Sequence, residues 1–76
     1  MEKKKYLAFA QKLITISRDL NGEFRAFLED AEESGDDHEL TKWLGYKLDA
    51  VLEALNYASS EASHIYTVKS LEEEKK

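Results

Sequence analysis

LTKWLGYKLDAVLEALNYASSEASHIYTVK, running from Leu40 to Lys69, places Leu44, Leu48, Val51, Leu55, Ala58, Ala62, Ile65 and Lys69 at alternating steps of four and three. This spacing keeps one side of an α-helix turned toward a neighbour, as in a coiled-coil seam. The seam is apolar until its last member and extends roughly 45 Å at the helical rise. The first half of the chain has to supply what packs against it.

It carries a seam of its own. Tyr6, Ala10, Leu13, Ser17, Leu20, Phe24, Phe27 and Ala31 repeat the same alternation, with Leu7, Ile14 and Leu28 on one flank and Phe9 and Ile16 on the other. An apolar arc this wide predicts a helix that touches more than one neighbour. Asn21-Gly22 is the one local breaker, but the heptad phase continues across it and nothing nearby alternates with period two. A continuous or slightly kinked helix is therefore expected, in preference to a break that would give three helices. Gly22 falls opposite the seam, where it costs about 1 kcal/mol of helix propensity and no packing.

Ser34-Gly35 predicts the stop, because glycine readily takes the left-handed conformation that closes helices. Asp36 or Asp37 then starts the second helix, and Asp36 with Glu39 has the spacing of a capping box. So short a connection makes the helices antiparallel neighbours. The expectation is one all-α domain over residues 1–76, a helical hairpin with helix one at about 4–33, helix two at about 37–70 and a frayed tail at 71–76.

Seventy-six residues without cysteine or proline leave no disulfide or thiolate metal site to reinforce a small core. Two helices make a single layer, and a core needs a second. A homodimeric four-helix bundle is expected, its core or dimer contact drawn from Phe9, Leu13, Ile16, Leu20, Phe24, Phe27, Leu44, Leu48, Val51, Leu55, Ala58, Ala62 and Ile65. The content of 36% charged and 42% hydrophobic residues suits amphipathic helices better than disorder. Lys3 to Lys5 resemble the opening of a signal peptide, yet Gln11 and Lys12 interrupt the apolar run that follows. No stretch approaches the ~20 apolar residues of a membrane span, so a cytoplasmic, non-membrane protein is the expectation.

Two features remain outside this packing scheme. Trp43, Tyr46, Ala50 and Tyr57 form a stripe on the back of helix two, and Trp and Tyr are frequent anchors of protein interfaces. The stripe is either a partner-binding surface or a contact buried by further assembly. Glu29, Asp30, Glu32, Glu33, Asp36, Asp37 and Glu39 put seven carboxylates into eleven residues at the hairpin tip. The first four occupy the carbonyl end of helix one, where negative charge is unfavourable. Solubility accounts for such a tip, and so does docking to a basic partner by imitation of a phosphate backbone.

Chemistry at a site is harder to find. Reading Asp30 as the start of a calcium loop fails at Asp37 and Thr41. Glu61-Ala-Ser-His64 has the Glu-x-x-His spacing of di-iron bundles, but no acid lies level with it on helix one. His38 and His64 are the only histidines and the three glycines are scattered, so neither a nucleophile–base pair nor a phosphate loop is evident. No catalysis, cofactor or metal is expected. A net charge of −5 argues against direct nucleic-acid binding.

Trp43-Leu44-Gly45 resembles the Trp-x-Gly signature of small helical-hairpin secretion substrates, and Tyr57 with Glu61 resembles the acid spacing of their export tag. In that family the signature lies in the bend and the tag follows the second helix, whereas here both fall within helix two. The overall plan is similar to plasmid RNA-regulating hairpin dimers. That resemblance implies a basic face, for which Lys5, Lys12, Arg18 and Arg25 are the candidates. The residues themselves favour a small regulator or inhibitor acting through another protein, with nucleic-acid mimicry and RNA binding as alternatives.

Overall fold

The computed structural model describes residues 1–74. Two antiparallel helices, α1 (Lys3–Glu33) and α2 (His38–Glu74), pack along their length as an all-α hairpin. The molecule is a rod of 62 × 17 × 14 Å. α1 passes through Asn21-Gly22 without interruption, and a side chain at Gly22 would meet nothing within 4 Å. The breaker is tolerated because it faces open space.

The turn follows from three residues. Gly35 takes φ +80°, its N–H donates to the Glu32 carbonyl at 3.0 Å, and the Asp36 N–H donates to the Ala31 carbonyl at 3.1 Å. This pair of bonds is a Schellman closure, which satisfies carbonyls that the helix end would otherwise leave open. Asp37, rather than Asp36, caps α2. Its Oδ1 accepts from the Glu39 N–H at 2.9 Å, and its carbonyl accepts from Leu40 at 3.0 Å and Thr41 at 3.2 Å. Asp36 is already committed to closing α1.

Beside half-buried Lys3 and Leu7, the ladder of α1 that faces α2 is Tyr6, Ala10, Leu13, Ser17, Leu20, Phe24, Leu28 and Ala31. Seven of these are the expected seam, but Leu28 replaces Phe27, which is 58% exposed. On α2 the ladder that faces α1 is Gly45, Leu48, Leu52, Leu55, Ser59, Ala62, Tyr66 and Lys69. It shares every second member with the expected seam. Leu44, Val51 and Ala58 are turned outward to an exposed flank, and Ile65 stays half-buried at the edge.

The rotation brings Ser59 to the contact between the helices. Ala10, 1% exposed, lies against Ser59, whose hydroxyl donates to the Ala10 carbonyl at 2.9 Å. A leucine at either place would hold the helices apart. Apolarity alone selected Ala58 over Ser59, whereas the side chain with a bond to make takes the buried position. Among the described residues no large side chain is fully buried, and Phe9 and Ile16 on the flank of α1 are also exposed.

At the open end, α2 continues as helix through Leu71 to Glu74 instead of fraying from Leu71, while the last two residues of the expected tail lie outside the described ones. Lys3 Nζ reaches Glu73 Oε2 at 2.7 Å and lies 5.8 Å from the centre of the Tyr66 ring. Lys69 lies 5.8 Å from the Tyr6 ring in the opposite sense. These contacts tie the beginning of the chain to the end of α2. Ser70 Oγ is a buried side-chain oxygen with no hydrogen-bond partner among the described residues.

Candidate interaction surface

Because α2 turns Leu48, Leu52, Leu55 and Ser59 toward α1, helical geometry sends Trp43, Tyr46, Ala50 and Tyr57 to the far side. They lie as exposed as that geometry requires: Trp43 is 63%, Tyr46 56% and Tyr57 68% accessible, and Ala50 is also exposed. Within one chain the stripe is surface.

The stripe is not uniform. Trp43 and Tyr46 meet edge to face, their ring centroids 5.8 Å apart at 82°, an arrangement favoured by the aromatic quadrupole. Lys42 Nζ lies 5.6 Å from the Trp43 ring centre and 3.7 Å from Glu39 Oε2, so a cation links the aromatic cluster to the first turn of α2. Tyr57 stands apart, about 16 Å along the axis from Tyr46 at the helical rise. Its hydroxyl donates to Glu53 Oε1 at 3.3 Å. Sequence reasoning passed over Leu40, which is 74% exposed and one turn before Trp43. Its signal was the step of three that also links Trp43 to Tyr46.

All seven carboxylates of the acidic tip are exposed. Two have local duties, Asp37 as the cap of α2 and Glu39 in its ion pair with Lys42. Glu29, Asp30, Glu32 and Glu33 close a helix whose last turn has no basic residue. Beside the tip, Gly45 leaves a shallow groove between the helices that reaches Leu28, Glu32, Thr41 and Tyr46. Glu61 and His64 are exposed on α2, and among the described residues no group of three or more His, Cys, Asp or Glu is placed to hold a metal ion.

Among the described residues, no helix is long and apolar enough to cross a membrane. No family model, curated protein or solved structure matches this chain. The Trp43-Leu44-Gly45 tripeptide lies inside α2 and not in the bend, so the placement that a secretion substrate would require is not met. Lys5, Lys12, Arg18 and Arg25 are all exposed on α1, interspersed with Asp19 and Glu23.

At the open end the structure displaces the titration of Lys3. The hydrogen bond from Lys3 to Glu73 holds the ammonium protonated to higher pH than an isolated lysine, against a smaller opposing effect of burial. This group braces the hairpin and lies at the opposite end from the aromatic cluster.

Proposed function

We propose that this hairpin is a small non-enzymatic regulator or inhibitor that docks on another protein through Trp43 and Tyr46, with Tyr57 as a second contact along the same side of α2. What supports the reading is the pairing of exposure with order. Trp43 and Tyr46 are more than half accessible, yet each ring is held by the other, and Lys42 holds Trp43 in addition. Rings fixed before contact lose little conformational freedom on binding, which is what makes aromatic residues effective anchors.

Changing Trp43 and Tyr46 together to Ala is expected to abolish capture of the partner from a host lysate. Folding stability should stay within ~1 kcal/mol of the parent, as for exposed positions. A collapse in stability would instead make the stripe part of a core. The rival reading, a phosphate-mimicking acidic tip, is favoured by the exposure of all seven carboxylates. It predicts a complex that weakens steeply with salt and with Glu32, Glu33 and Asp36 changed to Ser, and that is indifferent to Trp43.

A further inference from the structure

Three observations concern a part of the surface that the aromatic stripe does not use. The first is an apolar broad face. At 100° per residue, Phe9, Ile16 and Phe27 fall on one flank of the α1 seam, and Leu44, Val51 and Ala58 on one flank of the α2 seam. Antiparallel packing turns these two flanks to the same side of the hairpin. The opposite side is interrupted by polar groups, with Asn21, Arg25, Glu29 and Asp49 around its groove. The rod exposes 6172 Å², about 1,400 Å² more than the ~4,800 Å² of a compact chain of this mass. Burying that excess on each of two chains lies within the range of obligate homodimers.

The second observation is symmetry. The Ser59–Ala10 hydrogen bond fixes the register, so eight residues onward along α1 and eight residues back along α2 bring Arg18 level with Val51. Arg18 is the midpoint of α1 (Lys3–Glu33). Phe9 and Phe27 are each nine residues from Arg18, and Leu44 and Ala58 are each seven from Val51. A two-fold axis crossing the hairpin at this level exchanges Phe9 with Phe27 and Leu44 with Ala58.

The third is charge. α1 begins with Lys3, Lys4 and Lys5 and ends with Glu29, Asp30, Glu32 and Glu33, the reverse of what its own dipole favours at either end. Lys5 and Asp30 lie within about 20° of each other in helical phase, as do Lys12 and Glu23, on the edge beside Phe9, Ile16 and Phe27. None of these four side chains is in an ion pair among the described residues. The same two-fold axis sets Lys5 opposite Asp30 and Lys12 opposite Glu23.

We propose that a second copy of this chain covers the face formed by Phe9, Ile16, Phe27, Leu44 and Val51, inverted so that α1 stacks on α1 and α2 on α2, with each acidic tip over the other copy's open end. The inversion places the reversed charges of α1 against their complements. The alternative two-fold axis, along the rod, would bring both acidic tips together. The inverted dimer leaves Trp43, Tyr46 and Tyr57 on its outside, so it stands whether or not they bind a partner.

Sedimentation of the intact chain and cross-linking test this together. The chain has no cysteine, so Phe9→Cys and Phe27→Cys each introduce a single thiol. The parent is expected to sediment at twice its 8.8 kDa mass. A mixture of the two variants, treated with a short bis-maleimide, should give mainly the mixed cross-link, with little product from either variant alone. Lys12→Glu should weaken the dimer several-fold, and adding Glu23→Lys to the same chain should restore it. A parent that stays monomeric at about 100 μM, the micromolar range of weak association, would overturn the second copy as the occupant. Cross-links of Phe9→Cys to itself would overturn the inverted orientation, and loss of helical content in the cysteine variants would leave the charge-swap pair to decide.

Discussion

Ser59 shows how a single side chain sets the rotation of a helix. It is 5% exposed, and its hydroxyl bonds across the interface to a carbonyl that already serves α1. Ser59→Ala removes a bond of about 1 kcal/mol but gains helix propensity, so the net loss should stay under ~1 kcal/mol. Ser59→Leu keeps the position apolar yet forces a long side chain against Ala10, and overpacking of this kind costs about 1–3 kcal/mol. Urea unfolding of the two variants checks the order. A Leu variant as stable as the parent would mean that the seam can turn back to Ala58. The preference for Ser59 over Ala58 was not legible in the sequence, since hydropathy ranks the two the other way and only proximity to Ala10 reverses them.

At the scale of the element, the two helices differ in how much their patterns reveal. α1 has apolar residues at every seam position except Ser17, so its facing side could be read from spacing, with Phe27 for Leu28 the one exchange. α2 spreads apolar residues around its circumference, and two heptad ladders share Leu48, Leu55, Ala62 and Lys69. Spacing could not choose between them. The ladder that faces α1 is the one holding Ser59, whose hydroxyl bonds across to the Ala10 carbonyl. The end of α2 was misread for a related reason. Leu71 to Glu74 look like a charged tail, but Glu73 finds Lys3 across the open end. That contact raises the Lys3 pKa, so its contribution is fully present below the ordinary lysine value of 10.5 and is lost as pH rises through the raised one. Lys3→Met should therefore differ from the parent by a constant amount from pH 7 to pH 10 and converge with it only at more alkaline pH. Thermal melts across that range test it, and a difference that vanishes near neutrality would show that another group carries the effect.

For the whole molecule, the decisive quantity is how little one hairpin hides. Among the described residues its buried set is Ala10, Leu13, Ala31, Ser59 and Ala62, small or medium side chains from which no large fully buried anchor emerges. Chain entropy opposes the order of every residue, and a domain this small buries too little surface to leave much surplus. Length and the absence of cysteine and proline already pointed to assembly, but the face that assembles needed the register between Ala10 and Ser59, which no single-helix pattern contains. If the second copy supplies the missing layer, folding and association are one equilibrium, and stability must depend on concentration. The melting temperature should rise steadily as the protein is concentrated from about 1 to 100 μM, by the mass-action law for a dimer. The Trp43→Ala, Tyr46→Ala double variant should show the same dependence, because those rings lie outside the shared face. Ile16→Glu, which puts a charge beside the axis, should melt lower and lose most of the dependence. A parent whose melting temperature is flat across that range folds as a lone hairpin, and the exposed faces of Phe9, Phe27 and Val51 would then have to be assigned to a partner other than itself.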